Sequence, residues 1–548
     1  MAAAISIDRR LLMKGAAGLG VSAAAVSALA ACNPGGSGTG DTGGVRDAGV
    51  TLPTYKKFAG VKADLPGDAA GVPDAFFTYP RPPVAEFTDK PCSGGKITGM
   101  YGGYNPPPTT PPTNRWWADL NNRLGATFDV QITPASDYPA KLAAAIAGDL
   151  LPDIVQLQNV NRLPDVLKAK FHDLTDFISG DKINDYPNLA NLPTLTWKTC
   201  VYNKRIMAFP PQNIVGAGTW CVRKDVFTKL GTEFAPTSPD EVRTASMEVT
   251  DAKASRYAFA SADHVLIGLG CTMWNSPNGW GEQGGKFTLM QETEEYKQAL
   301  DWTAKMWKSG VIHPDAFGTI NGPGLFQSAN VALFSYGGVG WGGVLNAGIK
   351  GLDFGFYTAP TAAGGGVGAK RLGTGTYLLA GITKQKSDDR VREILRLIDY
   401  MSSPFGTKEY LGNVYGLEGR DFSWDDRLKA PIKNSLGGSE VTNEFTYIGC
   451  RPYVVFNPGH ADVAKAFYSH QVKTIPVGRA DPTAILYSET NDKLGANLVA
   501  KLDDVKSQVI QGRKTMADLD QAVADWRSAG GDKIRSEFEA AFAASQGG

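Results

Sequence analysis

Histidine is scarce in this chain and cysteine nearly so, with five His and six Cys in 548 residues. No two cysteines have Cys-x-x-Cys spacing and the histidines are scattered, so no metal site is expected. An excess of charge of one sign is lacking too: Lys and Arg total 55 against 55 Asp and Glu. Without a basic block or an Arg-rich tail, nucleic acid is not an expected partner. Gly-x-Ser-x-Gly and His-Glu-x-x-His do not occur, which removes two familiar hydrolase signatures. The Gly-rich stretch from Gly364 to Gly368 lacks the Lys-Ser/Thr ending of a phosphate loop. No cofactor and no catalytic residue is therefore expected. Long hydrophobic runs are also missing: the most apolar stretch, Gly15 to Ala31, is rich in Ala and Gly and short of the roughly 20 residues a membrane span needs.

That weak run has a different reading. Arg9 and Arg10 stand in Asp-Arg-Arg-Leu-Leu-Met-Lys, similar to a twin-arginine export signal, and the run ends in Leu29-Ala30-Ala31-Cys32, similar to a bacterial lipobox. Residues 1–31 are expected to be removed, leaving Cys32 lipidated as the new N-terminus. Two or more acyl chains on one cysteine hold a protein durably at a membrane, where one would not. Residues 32–95 then read as a lipid-anchored flexible tether and lead-in, Gly/Ser-rich as far as Gly49. The expected location is the extracellular face of the cell membrane. With Cys32 modified, five cysteines remain, an odd number. Cys200 and Cys221 lie in short apolar strand-like segments close in sequence and form the disulfide candidate.

From Lys96 onward strands alternate with helices. Lys96 to Tyr101, Thr127 to Thr133 and Asp153 to Leu157 read as strands; Asn114 to Leu124 and Asp137 to Ala147 read as helices. This order predicts a parallel sheet with helices packed on it. Ligands of such sheets bind beyond the carboxyl ends of the strands, which brings Tyr104, Gln158 and Asn159 forward as site candidates. A second α/β stretch begins with a strand at Trp220 to Arg223. It continues through helices from Ser238 and from Glu294 to Ser309, and a strand at Asn330 to Ser335. Helices over Asp492 to Gln511, Thr515 to Ala529 and Ile534 to Ala544 close the chain.

Several segments, in order, resemble the large lipoprotein branch of the family 1 extracellular solute-binding proteins, the partners of carbohydrate ABC importers. They are Trp220-Cys-Val-Arg-Lys-Asp-Val-Phe-Thr-Lys-Leu-Gly231 with Pro-Thr-Ser-Pro-Asp-Glu after it, Pro277-Asn-Gly-Trp280, Tyr296-Lys-Gln-Ala-Leu, Gly310-Val-Ile-His-Pro-Asp315, and Tyr415-Gly-Leu-Glu-Gly419 with Trp424. The most diagnostic is Val509-Ile-Gln-Gly-Arg followed by Asp525-Trp-Arg-Ser-Ala-Gly-Gly-Asp-Lys-Ile534. The resemblance implies an α/β, two-lobed periplasmic-binding-protein-like fold of type II, with a hinge between the lobes and a helical C-terminus. It places residues 96–216 and 331–400 in lobe 1, and 217–330 and 401–548 in lobe 2. It implies capture of a sugar, an oligosaccharide by preference, for the permease subunits of an ABC importer, by a monomer that is not an enzyme.

Sugars offer hydroxyl edges and apolar C–H faces, so their clefts need flat aromatics beside amide, acid or guanidinium groups. Trp274-Asn-Ser-Pro-Asn-Gly-Trp280 holds both kinds in one loop, making Trp274 and Trp280 candidates. Tyr336 and Trp341 flank glycines that allow close approach. Gln212 and Asn213 follow Pro210-Pro211, Tyr377 follows Gly373-Thr-Gly-Thr, and Arg451 precedes Pro452-Tyr453. Trp117 shares a helical face with Leu120 and Leu124 and is expected in the core. Two rival readings stay open: a binding protein for peptides or another solute, and a tethered glycoside hydrolase. The latter needs two carboxylates about 5 to 9.5 Å apart, whereas the adjacent pairs Asp388-Asp389 and Asp503-Asp504 sit at helix starts or on exposed faces.

Overall fold

Three strands expected from the alternating pattern, β1 (Lys96–Gly103), β2 (Thr127–Pro134) and β3 (Ile154–Leu157), pair in parallel with β1 in the middle, in a computed structural model of the chain. The structure describes residues 43–45, 49–68, 70–211, 214–216, 218–318, 320–337, 340–376, 378–442 and 444–546. Along β2, Phe128 and Val130 are buried while Thr127, Asp129 and Gln131 are exposed, the period of two expected of a strand with one covered face. Every residue of β3 is buried, as an inner strand with both faces covered requires.

The second sheet is built from β4 (Thr219–Arg223), β5 (Tyr257–Phe259), β6 (Val331–Tyr336) and β7 (Phe354–Tyr357), in the order β7-β4-β6-β5. The late strand β8 (Leu379–Ile382) returns to the first sheet, antiparallel to β3, with Leu379 opposite Leu157. The boundary expected at residue 331 is thus corrected. β6 bonds antiparallel to β4, with Tyr336 opposite Thr219, so residues 331–357 belong to the second sheet and the chain returns to the first only at β8. The boundary at 400 moves as well, since Val441, Phe445, Ile448 and Cys450 all pack in the first core.

Two buried cores follow from the two sheets. In the first, α1 (Arg115–Leu124) buries Trp116, Trp117, Leu120 and Leu124. The Asn114 side chain caps it by accepting from the Trp117 amide at 2.8 Å, and Gly125 ends it at φ 75°, a left-handed turn that glycine adopts without strain. Trp117 is in the core, as its helical face predicts. The second sheet is covered on both faces by alternate residues. Trp220, Val222 and Leu333 face α2 (Glu294–Lys308), while Cys221, Phe334 and Tyr336 face Trp341 and Phe467. Ser238 caps its helix as expected, accepting from the Glu241 amide. The C-terminal helices Ala496–Ile510, Met516–Trp526 and Asp532–Gln546 fill a further apolar layer with Trp280 and Phe287.

No disulfide joins Cys200 to Cys221, contrary to the expected pairing. Cys200 packs in the first core and Cys221 sits on β4 in the second, so short separation in sequence hides a crossing between cores. Among the described residues, no helix is long and apolar enough to cross a membrane. The arginine pair and Cys32 lie outside the described residues.

Candidate functional site

From Lys96 onward the described chain passes between the two cores three times, and these crossings frame the site. Phe209 is in the first core and Ile214 in the second; Ala359 is in the second and Ala380 in the first; Cys450 is in the first and Val455 in the second. The first two crossings run side by side. The Phe209 amide donates to the Ala380 carbonyl at 2.7 Å, and the Gly373 amide to the Val215 carbonyl at 2.8 Å. Val455 and Phe456, just past the third crossing, pair in parallel with Ala75 and Phe76 of the lead-in.

Four of the residues singled out from sequence belong to these crossings. Gln212 and Asn213 fall on the first and Tyr377 on the second, but all three lie outside the described residues. Arg451 is on the third. At the carboxyl ends of the first sheet, Tyr104 is 55% exposed, with its ring 6.0 Å from that of Tyr447. Gln158 is half-buried, and a Cβ on Gly102 would come within 3.3 Å of its Oε1. Asn159 is exposed at φ 52°, a backbone state that Asn tolerates better than most residues.

Arg451 stands among tyrosines. Its guanidinium carbon lies 5.2 Å from the centre of the Tyr410 ring, in cation–π range. Tyr410, Tyr415 and Tyr79 are the titratable groups close enough to interact with it. Arg451, Tyr410, Tyr415, Tyr453 and Lys433 are each half-buried, set deep in the protein but open to water on one side. Burial pushes the Arg451 guanidinium below its ordinary value. Burial also brings the Lys433 ammonium down to about 8, with the Arg451 charge acting in the same direction and Asp421 opposing. Behind them Tyr79 packs on Trp424 at 5.6 Å and Phe405 at 4.7 Å, and Arg81 lies 4.4 Å over Trp424. Tyr410, Tyr415, Lys433 and Tyr453 were missed as site residues. The signal available was the alternation of aromatics with Gly and Pro in Tyr415-Gly-Leu-Glu-Gly419 and Arg451-Pro-Tyr453.

The tryptophan and Tyr336 expectations need correction. Trp341 is 1% exposed and packs on Phe356 at 5.1 Å and Phe467 at 4.9 Å. Trp280 is buried against Trp526 and Phe538. Tyr336 is buried against Phe326 and Phe334. Each ring covers apolar surface, which a loop position flanked by glycine does not reveal. Trp274 is half-buried beside Trp302 at 5.9 Å, in a groove with Arg243, Asp301 and Asp520 on the helical side. The amides of its loop brace the second crossing. Asn275 accepts from the Ala369 amide at 2.9 Å, and Asn278 donates to the carbonyls of Leu372 and Arg479 at 2.9 and 3.0 Å.

A polar group lies against the crossings. Lys370 is 6% exposed, and its ammonium, brought down to about 7 by burial, meets no partner among the described residues. Its backbone carbonyl accepts from the Arg479 amide. His470 is held down to about 3 by burial, with the Lys370 charge adding to the effect. The amide of Gln471 is fully buried and has no partner among the described residues. Gly216, on the first crossing, lies so close that a Cβ there would fall 2.2 Å from Gln471 Oε1. Among the described residues no group of His, Cys, Asp and Glu is arranged to hold a metal ion.

No protein-family model matches the chain. The polygalacturonan/rhamnogalacturonan-binding protein YtcQ of Bacillus subtilis is 23% identical over 467 residues, covering 79% of this chain and 89% of that one. Among solved structures, the alginate-binding protein AlgQ2 superposes with a TM-score of 0.59 at 15% identity, over 83% of this chain and 98% of that one. The N-glycan transport solute-binding protein NgtS of Streptococcus pneumoniae gives a TM-score of 0.56 at 14% identity, over 82% and 98%.

Proposed function

We propose that this chain, which has the α/β fold of the solute-binding proteins, captures an oligosaccharide outside the cell and hands it to the permease of an ABC importer. The observation that carries the reading is the set of tyrosines around Arg451 on the third crossing, half-open to water where the chain passes between its two cores. Tyrosine faces suit the C–H faces of sugar rings, and hydroxyl and guanidinium groups suit their oxygens. The sugar-binding descriptions of YtcQ and AlgQ2 favour the same class of ligand. The lipobox at Cys32 and the Gly/Ser tether after it support attachment to the outer face of the membrane, within reach of a permease. The division into two lobes belongs to this reading, with residues 96–209, 379–450 and their helices on one side of the crossings. The second sheet and the C-terminal helices lie on the other.

The test is titration of the purified full-length protein in detergent with a panel of oligosaccharides, followed by melting temperature, Trp fluorescence and chromatography of the sugar. One sugar bound per chain, recovered intact, is the expected result. Product accumulating in proportion to protein would replace this reading by that of a tethered glycoside hydrolase, and a response to peptides alone by that of a peptide carrier.

A further inference from the structure

Among the described residues neither Arg451 nor Lys433 forms an ion pair, and Asp421 acts on Lys433 only from a distance. Among the described residues Arg451 has no carboxylate in ion-pair range, and the groups acting on it are phenols. Lys433 bonds only weakly to the Val441 carbonyl, at 3.4 Å, and lies near enough to Arg451 to feel its charge. The surrounding carboxylates are already engaged. Asp421 is fully buried and holds Arg420 at 2.7 Å and the Leu417 amide at 2.8 Å. Glu440 accepts from the Arg115 and Trp116 amides, and Glu409 from the Glu86 and Phe87 amides. Two like charges set deep in a protein without a partner are costly to desolvate, and the cost falls when an anion joins them. A neutral sugar can accept hydrogen bonds from these cations but does not offset their charge. Acid side chains would both accept from sugar hydroxyls and offset the guanidinium.

We propose that the ligand is an acidic oligosaccharide, a uronate oligomer, whose ring carboxylate is gripped by the Arg451 guanidinium, with the Lys433 ammonium adding to the positive charge around it. This rests on the reading of the same site as a sugar cleft. The planar fork of arginine matches a carboxylate through two parallel hydrogen bonds. The rings of Tyr410, Tyr415 and Tyr453 then serve the sugar faces, leaving the two cations to select charge. Sugars of equal shape without the carboxylate would bring no charge to offset the two cations, so discrimination arises from the positive charge set at the site.

Calorimetry on the full-length protein decides it, with trimers of galacturonate and of mannuronate, the methyl esters of both, and maltotriose as probes. An acid trimer should bind at least about tenfold more tightly than its own methyl ester, and added salt should narrow the gap. Arg451→Gln and, separately, Lys433→Met should each weaken the acid trimer about tenfold or more while shifting the ester by less than about threefold. Arg451→Lys should recover part of the loss. Lys433 is half-exposed, so its variant keeps the test alive if Arg451→Gln fails to fold. Maltotriose or the esters binding as tightly as the acids, or acid binding indifferent to both substitutions, overturns the acidic-ligand assignment and leaves sugar capture standing. Should neither acidic nor neutral trimers bind, the sugar-capture reading falls, and this inference with it.

Discussion

At Trp341 the indole is enclosed by Phe354, Phe356 and Phe467, and its Nε1 has no partner among the described residues. A buried indole that donates no hydrogen bond contributes through apolar area alone. Truncation leaves a cavity the size of the ring, and Trp→Ala changes in such cores cost about 3–5 kcal/mol. Trp341→Ala should therefore lower stability to chemical denaturant by that amount while leaving sugar affinity of the folded fraction within about twofold. A tenfold loss of affinity without loss of stability would restore Trp341 to the cleft. Arg451 illustrates the reverse. Its neighbours Pro452 and Tyr453 mark a loop with an aromatic, and the structure leaves its head open to water among tyrosines. Residue type says which groups have the chemistry to bind a sugar. Burial, which decides whether they do, is set by partners far away in the sequence: Phe467 lies 126 positions beyond Trp341.

Elements were more legible than residues. Strands at Lys96, Thr127 and Ile154, the capped helices after Asn114 and Ser238, and the three C-terminal helices stand within a few residues of their expected bounds, because periodicity and capping are local. Partner choice is not local. The pattern of Val331–Tyr336 says strand, but nothing in it says that β4 rather than β3 is its neighbour. The helix α3 (Asp388–Met401) shows how such distant joints are made. Its Asp399, 2% exposed, accepts from the Asn188 and Leu189 amides at 2.8 and 2.9 Å, tying α3 to the start of the short helix Pro187–Ala190. Burial pushes the Asp399 carboxyl up to about 8, the two amide bonds pulling the other way and nearby Glu86 adding to the rise. A carboxyl raised in the folded state binds its proton more tightly there than in the unfolded chain. Its stabilising effect is complete below the unfolded value of about 4 and is lost as pH rises to about 8, at up to about 1.4 kcal/mol per unit. Asp399→Asn keeps the acceptor and removes the charge, so stability measured by urea between pH 5 and 8 should fall less steeply than in the parent. The gain should be greatest at pH 8. An unchanged slope would show that Asp399 is not the group responsible.

On the scale of the whole molecule, the polar group against the crossings carries the argument for motion. Buried polar atoms in native proteins nearly always find partners, and those that do not call for an explanation. Here, among the described residues, the Lys370 ammonium, His470 Nε2 and both amide atoms of Gln471 lack partners; Lys370 is on the second crossing, and Gln471 lies against Gly216 on the first. Strain gathered at crossings is accounted for if the two sides rotate and a second arrangement satisfies these groups, which ligand binding then favours by its differential affinity. Lys370→Met separates this from static frustration. Replacing an unpaired buried ammonium by an apolar chain of similar length should raise stability by about 1–3 kcal/mol. If Lys370 finds its partner only in the ligand-bound arrangement, the same change should weaken sugar affinity several-fold, about fivefold for each 1 kcal/mol of bias toward the open form. Small-angle scattering should show the parent contracting when saturated with sugar, and the variant contracting only at higher sugar concentration. A variant that is more stable, binds as the parent does and contracts equally would make Lys370 a frustrated core residue with no part in closure. A parent that keeps its radius of gyration when saturated would place the bound sugar in a rigid cleft.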